Sequence, residues 1–140
     1  MRSAIGLGLL LAVGAAASAS ADDWPMWQHD AQRTGVTPAR VPDRLHLQWT
    51  AQYPRLERAW PDEDRMEFDV AYEPVIAGKT LFFGSSRDDA LRALATDTGE
   101  ERWRFYANGP IRFAPCVDGN RVFVASDDGC LYCLDTESGA

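Results

Sequence analysis

Two stretches of this 140-residue chain can be laid over each other, and that internal repeat restricts the fold more than any other feature. Pro74, Gly78, Phe82 and Ser85 recur 41 residues later as Pro115, Gly119, Phe123 and Ser126. Leu91, Leu94, Thr96 and Gly99 then recur 40 residues later as Leu131, Leu134, Thr136 and Gly139. The change of offset falls between Ser85 and Leu91, so one turn is a residue shorter in the second copy. A period near 40 residues marks units that cannot bury their apolar face alone and must stack on neighbours. Units of that length are either helix pairs or small antiparallel sheets.

Local pattern separates the two. Thr80-Leu81-Phe82-Phe83 and Arg121-Val122-Phe123-Val124-Ala125 are short, rich in β-branched and aromatic residues, and bounded by glycine-containing turns. Asp118-Gly119-Asn120 and Asp127-Asp128-Gly129 have tight-turn chemistry. After the first 21 residues, no stretch keeps a helical period over ten residues without Gly or Pro. The spacing predicts strands near Tyr72–Ala77, Thr80–Gly84, Leu91–Ala95 and Arg102–Tyr106, then Phe113–Val117, Arg121–Ala125 and Cys130–Asp135. The fold class is all-β: a partial β-propeller of about two four-stranded antiparallel blades, the second stopping before its fourth strand. Propellers close with four to eight blades. The remaining blades of a longer propeller are therefore the first expected partners, and the segment alone is expected to be marginally folded.

The strings LRALATDTGEERWRF and VFVASDDGCLYCLDTESG resemble the blades of the pyrroloquinoline-quinone-like (PQQ-like) repeat family. Its blade pattern, DG-x-L-Y-A-L-D-x-x-TG-x-x-x-W, is matched by Asp128, Gly129, Leu131, Tyr132, Leu134, Asp135 and Gly139. Leu91, Leu94, Thr98, Gly99 and Trp103 match it in the earlier copy, with Asp89 and Ala90 standing where Asp-Gly is expected. Trp24 to Pro38 looks like the lead-in of exported members. The structural positions of the repeat are thus Trp49, Gly78, Gly99, Trp103, Gly119, Gly129 and Gly139. A glycine admits a backbone of positive φ, and the tryptophan after it offers a large apolar face and an N–H donor to cover the edge between blades. Trp49, within Leu45–Gln52, is expected to have the same role, a strand earlier. The charge-dense stretch Tyr53 to Asp69 between them reads as an inserted surface loop.

The N-terminus has the layout of a secretory signal. Arg2 precedes an apolar stretch from Ile5 to Ala17, and Ala19-Ser20-Ala21 forms a small-residue cleavage site. The apolar stretch is too short to span a bilayer. The expected layout is a signal peptide over 1–21, a lead-in over 22–44, and propeller blades over 45–140, with export to the periplasm or beyond after cleavage near Ala21-Asp22. Without Arg2, 13 basic side chains face 21 acidic ones, a net charge of −8. That balance, with scattered arginines, argues against nucleic-acid binding, and no other apolar run suits stable membrane insertion.

Cys116, Cys130 and Cys133 are the obvious reactive side chains. Haem attachment requires His after the second Cys of the C-x-x-C, and Leu134 stands there. On a strand, residues three apart face opposite ways, so Cys130 and Cys133 are not expected to bond. Cys116 and Cys133 lie two strands apart in a meander, roughly 9–10 Å, beyond disulfide reach. The three are expected as small, mostly buried hydrophobic residues. His29-Asp30 has no nucleophile or second base beside it in sequence, and Asp62-Glu63-Asp64 lacks calcium-loop spacing. No catalytic residue and no metal ligand is assigned. The family resemblance implies two classes of function. The favoured one is a non-catalytic exported module for binding or scaffolding, with envelope proteins among its partners, because fold alone does not assign chemistry. The alternative is a fragment of a quinoprotein dehydrogenase, which would bring PQQ and calcium; the fragment itself is expected to hold no cofactor, and the adjacent-cysteine disulfide of that class has no counterpart here.

Overall fold

In the computed structural model, residues 23–63 and 65–140 are described. The predicted signal segment lies outside them. Seven strands form two antiparallel sheets. The first sheet is β1 (Val75–Ala77), β2 (Thr80–Ser85), β3 (Ala90–Ala95) and β4 (Glu101–Tyr106), in that spatial order. The second is β5 (Cys116–Asp118), β6 (Arg121–Ala125) and β7 (Leu131–Asp135). Each sheet is one blade, and the repeat in sequence is a repeat in register: Leu81 pairs with Leu94 as Val122 pairs with Leu134.

Local chemistry accounts for the strand limits. The innermost strands are shorter than the pattern predicts, because Pro74 and Pro115 bring no N–H to a ladder. In the second blade the turn closes between Ser126 and Cys130, with Gly129 at φ 85° and its N–H donating to the Ser126 carbonyl at 3.1 Å. In the first blade the position of Gly129 is held by Asp89, at φ 53°. Asp is among the few side chains that adopt this conformation at low cost. The Asp-Gly of the blade pattern thus corresponds to Asp88-Asp89, one residue earlier than the expected Asp89-Ala90.

The core lies between the blades. Val75, Phe82, Leu91 and Ala93 on the first sheet meet Val117, Val122, Val124 and Leu134 on the second, with Ile111 from the connection. All nine residues that form this cluster are buried. The first blade is covered on both faces, so β3 is buried from end to end instead of alternating. The second blade alternates, and the face with Cys116, Phe123 and Cys133 in one cross-strand row points away from the first. This corrects the expectation for the cysteines. Cys133 is exposed and Cys116 half-buried because none of the described residues covers that face, and Cys130 is exposed in the turn before β7. All three are free thiols.

The joint between blades is a tryptophan lying on a glycine. Trp103 does not cover Gly99 of its own blade; it reaches Gly139 of the next, where an added Cβ would sit 2.6 Å from the ring. Its Nε1 donates to the Thr136 carbonyl at 3.0 Å. Trp49 repeats the arrangement on the other side of the first blade. Its ring lies as close over Gly99, and its Nε1 donates to the Thr96 carbonyl at 2.9 Å. The segment around Trp49 does this without being a strand. It has no backbone ladder among the described residues and is held by side chains, including Gln48 Nε2 on the Asp97 carbonyl at 2.9 Å.

A second element repeats with altered chemistry. Asp128 accepts a hydrogen bond from the Tyr132 hydroxyl at 2.6 Å, and also the N–H groups of Cys130 and Asn108. The Tyr132 bond holds the Asp128 carboxyl down at about 2, and the same bond pushes the phenol up to about 12. In the first blade the tyrosine position is Arg92, which donates to Asp88. Arg92 is 5% exposed, with its guanidinium over the rings of Tyr53 and Phe83. Burial works against the Asp88 charge, but the hydrogen bonds from Arg92 and Ser85, with the Arg92 and Arg104 charges, together outweigh it and lower the pKa.

Gly139→Ala is expected to destabilise the chain by about 2–4 kcal/mol in chemical denaturation, from the clash with Trp103 and the φ of 71°. Trp49→Phe, which keeps a ring but removes the donor, is expected to cost about 1 kcal/mol. The Asp128–Tyr132 bond predicts two pH limits. Its contribution is present above the ordinary carboxyl value of 3.8 and lost as pH falls towards about 2. It is also present below the ordinary phenol value of 10.0 and lost as pH rises towards about 12. Tyr132→Phe should remove the alkaline limit from the pH dependence of the melting temperature and weaken the acid one, since the Cys130 and Asn108 N–H groups still bind Asp128.

Candidate binding cleft

The lead-in segment closes over the inner edges of both blades. Trp24 exchanges two backbone hydrogen bonds of 2.8 Å with Ile76 of β1, and the Pro25 carbonyl accepts from Val117 of β5 at 2.7 Å. The chain then turns sharply through Gln28 and His29, both at positive φ. Asp30 fixes that turn by accepting from the Thr34 N–H at 3.0 Å and from its hydroxyl, bonds that also lower the Asp30 pKa. His29 packs edge-on against Trp24 at 5.0 Å and approaches Asp30 at 3.6 Å. The pair thus belongs to a turn.

Beyond this turn lies a cleft of about 520 Å³ lined by Met26, Trp27, Arg33, Phe68, Glu73, Phe113 and the Ala114–Cys116 backbone region. Phe68 and Phe113 stack with ring centroids 5.5 Å apart and planes at 10°. Trp60 continues the row 5.8 Å from Phe68. Also in the lining, the Arg33 guanidinium lies 4.9 Å from the centre of the Trp27 ring. Glu73 accepts from the Ala114 N–H at 3.0 Å, which ties the approach to β1 to the approach to β5.

The stacked rings are held by the residues beside them in sequence. Asp69 follows Phe68, Arg112 precedes Phe113, and the two charges meet at 2.6 Å. Arg112 also donates to Asp127 at 2.6 Å and to the Glu57 carbonyl at 2.7 Å. Asp69 receives the Ala59 N–H at 2.8 Å. Burial disfavours the Arg112 charge, but its two carboxylates outweigh that effect and raise its pKa. A charge-dense stretch such as 53–69 is expected to be solvated, yet Asp69 is 0% exposed and its Oδ1 has no partner. The insertion is therefore a strap clasped onto both blades, with Tyr53 and Asp69 turned inward and the Glu57 backbone bonded to Ser86 and Arg112.

None of the repeat positions lines the cleft. Trp49, Gly99, Trp103 and Gly139 form the joints, and Gly78, Gly119 and Gly129 sit at turns with open space where a side chain would be. Asp62 and Glu63 are exposed, and no group of three or more metal-ligating side chains occurs among the described residues. No helix among them is long and apolar enough to cross a membrane. The cleft residues come from three stretches distant in sequence, 26–33, 68–73 and 113–116. The available signal is the pair of dipeptides Phe68-Asp69 and Arg112-Phe113, each an aromatic beside a charge of opposite sign.

Asp69→Ala is expected to cost about 3–5 kcal/mol, since it leaves Arg112 buried with one carboxylate fewer. Asp69→Leu combined with Arg112→Met should recover some of the loss, measured by the same denaturation midpoint.

A family model described as outer membrane protein assembly factor BamB matches residues 15–140. No curated protein sequence matches the chain. Among solved structures, BamB from Moraxella catarrhalis is 30% identical, with a TM-score of 0.42, over 45% of this chain and 19% of its own. A europium-containing methanol dehydrogenase is 23% identical, with a TM-score of 0.43, over 48% of this chain and 13% of its own. The chain thus spans less than a fifth of either. With nearly the whole sequence matched by the family model, and two blades repeating in register, the chain belongs to the BamB-like family of PQQ-like propeller repeats.

Proposed function

We propose that this chain belongs to an exported, non-catalytic propeller that binds or scaffolds other proteins of the envelope. The observation that carries the proposal is the cleft, which the fold builds at some cost. A strap with a fully buried carboxylate and a lead-in crossing both inner strands hold exposed rings in place. Exposed aromatic clusters of this kind mark interaction sites. The lining is suited to binding: rings, a thioether, one guanidinium, and a carboxylate that already holds a backbone N–H. A PQQ cofactor carries several carboxylates and works beside a calcium ion, whereas among the described residues that line the cleft Arg33 is the one cation. The description of the matching family as an assembly factor supports the same reading.

The test uses the full-length secreted product, with PQQ and calcium added. The proposal predicts no dye-linked oxidation of alcohols or sugars and no bound quinone absorbance. Turnover would contradict it. Export predicts a mature N-terminus at Asp22 in the periplasmic or secreted fraction, read by mass spectrometry; an intact Met1 would contradict it.

A further inference from the structure

The cleft has a polarity that narrows what it can hold. Phe68 and Phe113 line it, exposed by 42% and 56%, and Trp60, 49% exposed, continues their row beyond the lining. Trp27, 46% exposed, lines it with the Arg33 guanidinium over its ring. Among the described residues no carboxylate pairs with Arg33. Asp30, the acid nearest in sequence, is engaged by Thr34. A guanidinium stacked on an indole keeps its in-plane N–H donors free for a planar carboxylate. Glu73 is of opposite sign but is drawn towards the Ala114 N–H.

The row of rings runs past the cleft lining to Trp60, farther than a compact ligand in the cleft would reach. Its ring centroids follow one another at 5.8 and 5.5 Å. Alternate side chains of an extended strand stand roughly 7 Å apart on one face, so successive ones can lie against successive rings.

We infer that the cleft seats an extended polypeptide segment with a large apolar side chain against Phe68 and Phe113, and a carboxylate beside it on Arg33. This rests on the binding-module reading above and names the kind of partner. Phe113 and Phe68 are the apolar anchors, Arg33 selects the charge, and the Asp69–Arg112 pair positions the anchors without touching the partner.

Fluorescence anisotropy of short labelled, end-capped peptides with the full chain tests this. One peptide alternates Phe and Thr and carries Asp beside a Phe; a second has Lys in place of that Asp. The Asp peptide should bind about tenfold more tightly than the Lys peptide. Arg33→Glu should reverse the order, Arg33→Gln should abolish the preference, and Phe113→Ala should weaken both. Arg33 and Phe113 are exposed, and unchanged circular dichroism confirms that each variant is folded. Equal binding of both peptides, unmoved by Arg33→Glu, would overturn the inference. So would binding of free hydrocinnamate with neither peptide bound, which marks a small-molecule site. Failure of the module reading shows separately, as PQQ-dependent dye reduction.

Discussion

Everything in this structure depends on a tryptophan ring lying flat on a glycine of the adjacent blade. A propeller blade cannot bury both faces by itself, so the chain must specify how far one sheet sits from the next and at what rotation. A ring against a bare Cα sets the distance, because any side chain at that glycine would occupy the ring's space. The indole N–H on the carbonyl of Thr96 or Thr136 sets the rotation. The joint is non-local: Trp49 and Trp103 each reach past their own segment to the following Gly turn. The apolar contact of Phe82 with Trp103 then joins the outer joint to the inner core.

Once the blades are fixed, their inner approaches lie side by side, and the remaining segments exploit that. The lead-in pairs with β1 and touches β5, while the strap between Trp49 and β1 places Asp69 against Arg112. A buried pair of this kind is not needed for stability alone, since apolar residues can replace such pairs without loss. Its effect is positional. It brings Phe68 and Phe113 face to face at the surface, in the cleft that Trp27 and Arg33 also line. The route from sequence to proposed function thus runs from repeat, to joint, to paired inner strands, to a cleft that the blades alone would not form.

The strands, their order and the turn chemistry were legible because they are local. The offset of 41 changing to 40 places the shortened turn correctly, and glycine and proline mark the strand limits. Partner choice was not legible in the same way. Gly99 followed by Trp103 reads as a single unit, yet the ring leaves that turn for Gly139. Leu45–Gln52 is expected one strand earlier, but among the described residues no backbone pairs with it as a strand. The cysteines looked buried because strand cysteines usually are; their exposure depends on which face the second blade turns to the first. Asp69 was hidden in a charged run, with nothing local to separate it from its solvated neighbours. Arg92 shows the reverse case, a departure from the blade pattern that makes sense only beside Tyr53 from the strap.

The joint can be observed directly through the five indole N–H groups of the full chain, followed by NMR during exchange into deuterated water. Trp49 and Trp103 donate to carbonyls across a packed contact, whereas Trp27 and Trp60 are half exposed. The Trp49 and Trp103 signals are predicted to persist together long after those of Trp27 and Trp60 have gone. Rapid exchange at Trp49 or Trp103, with the sheet amides still protected, would contradict the central role of the joint, because the blades would then be folded without the contact that is held to align them.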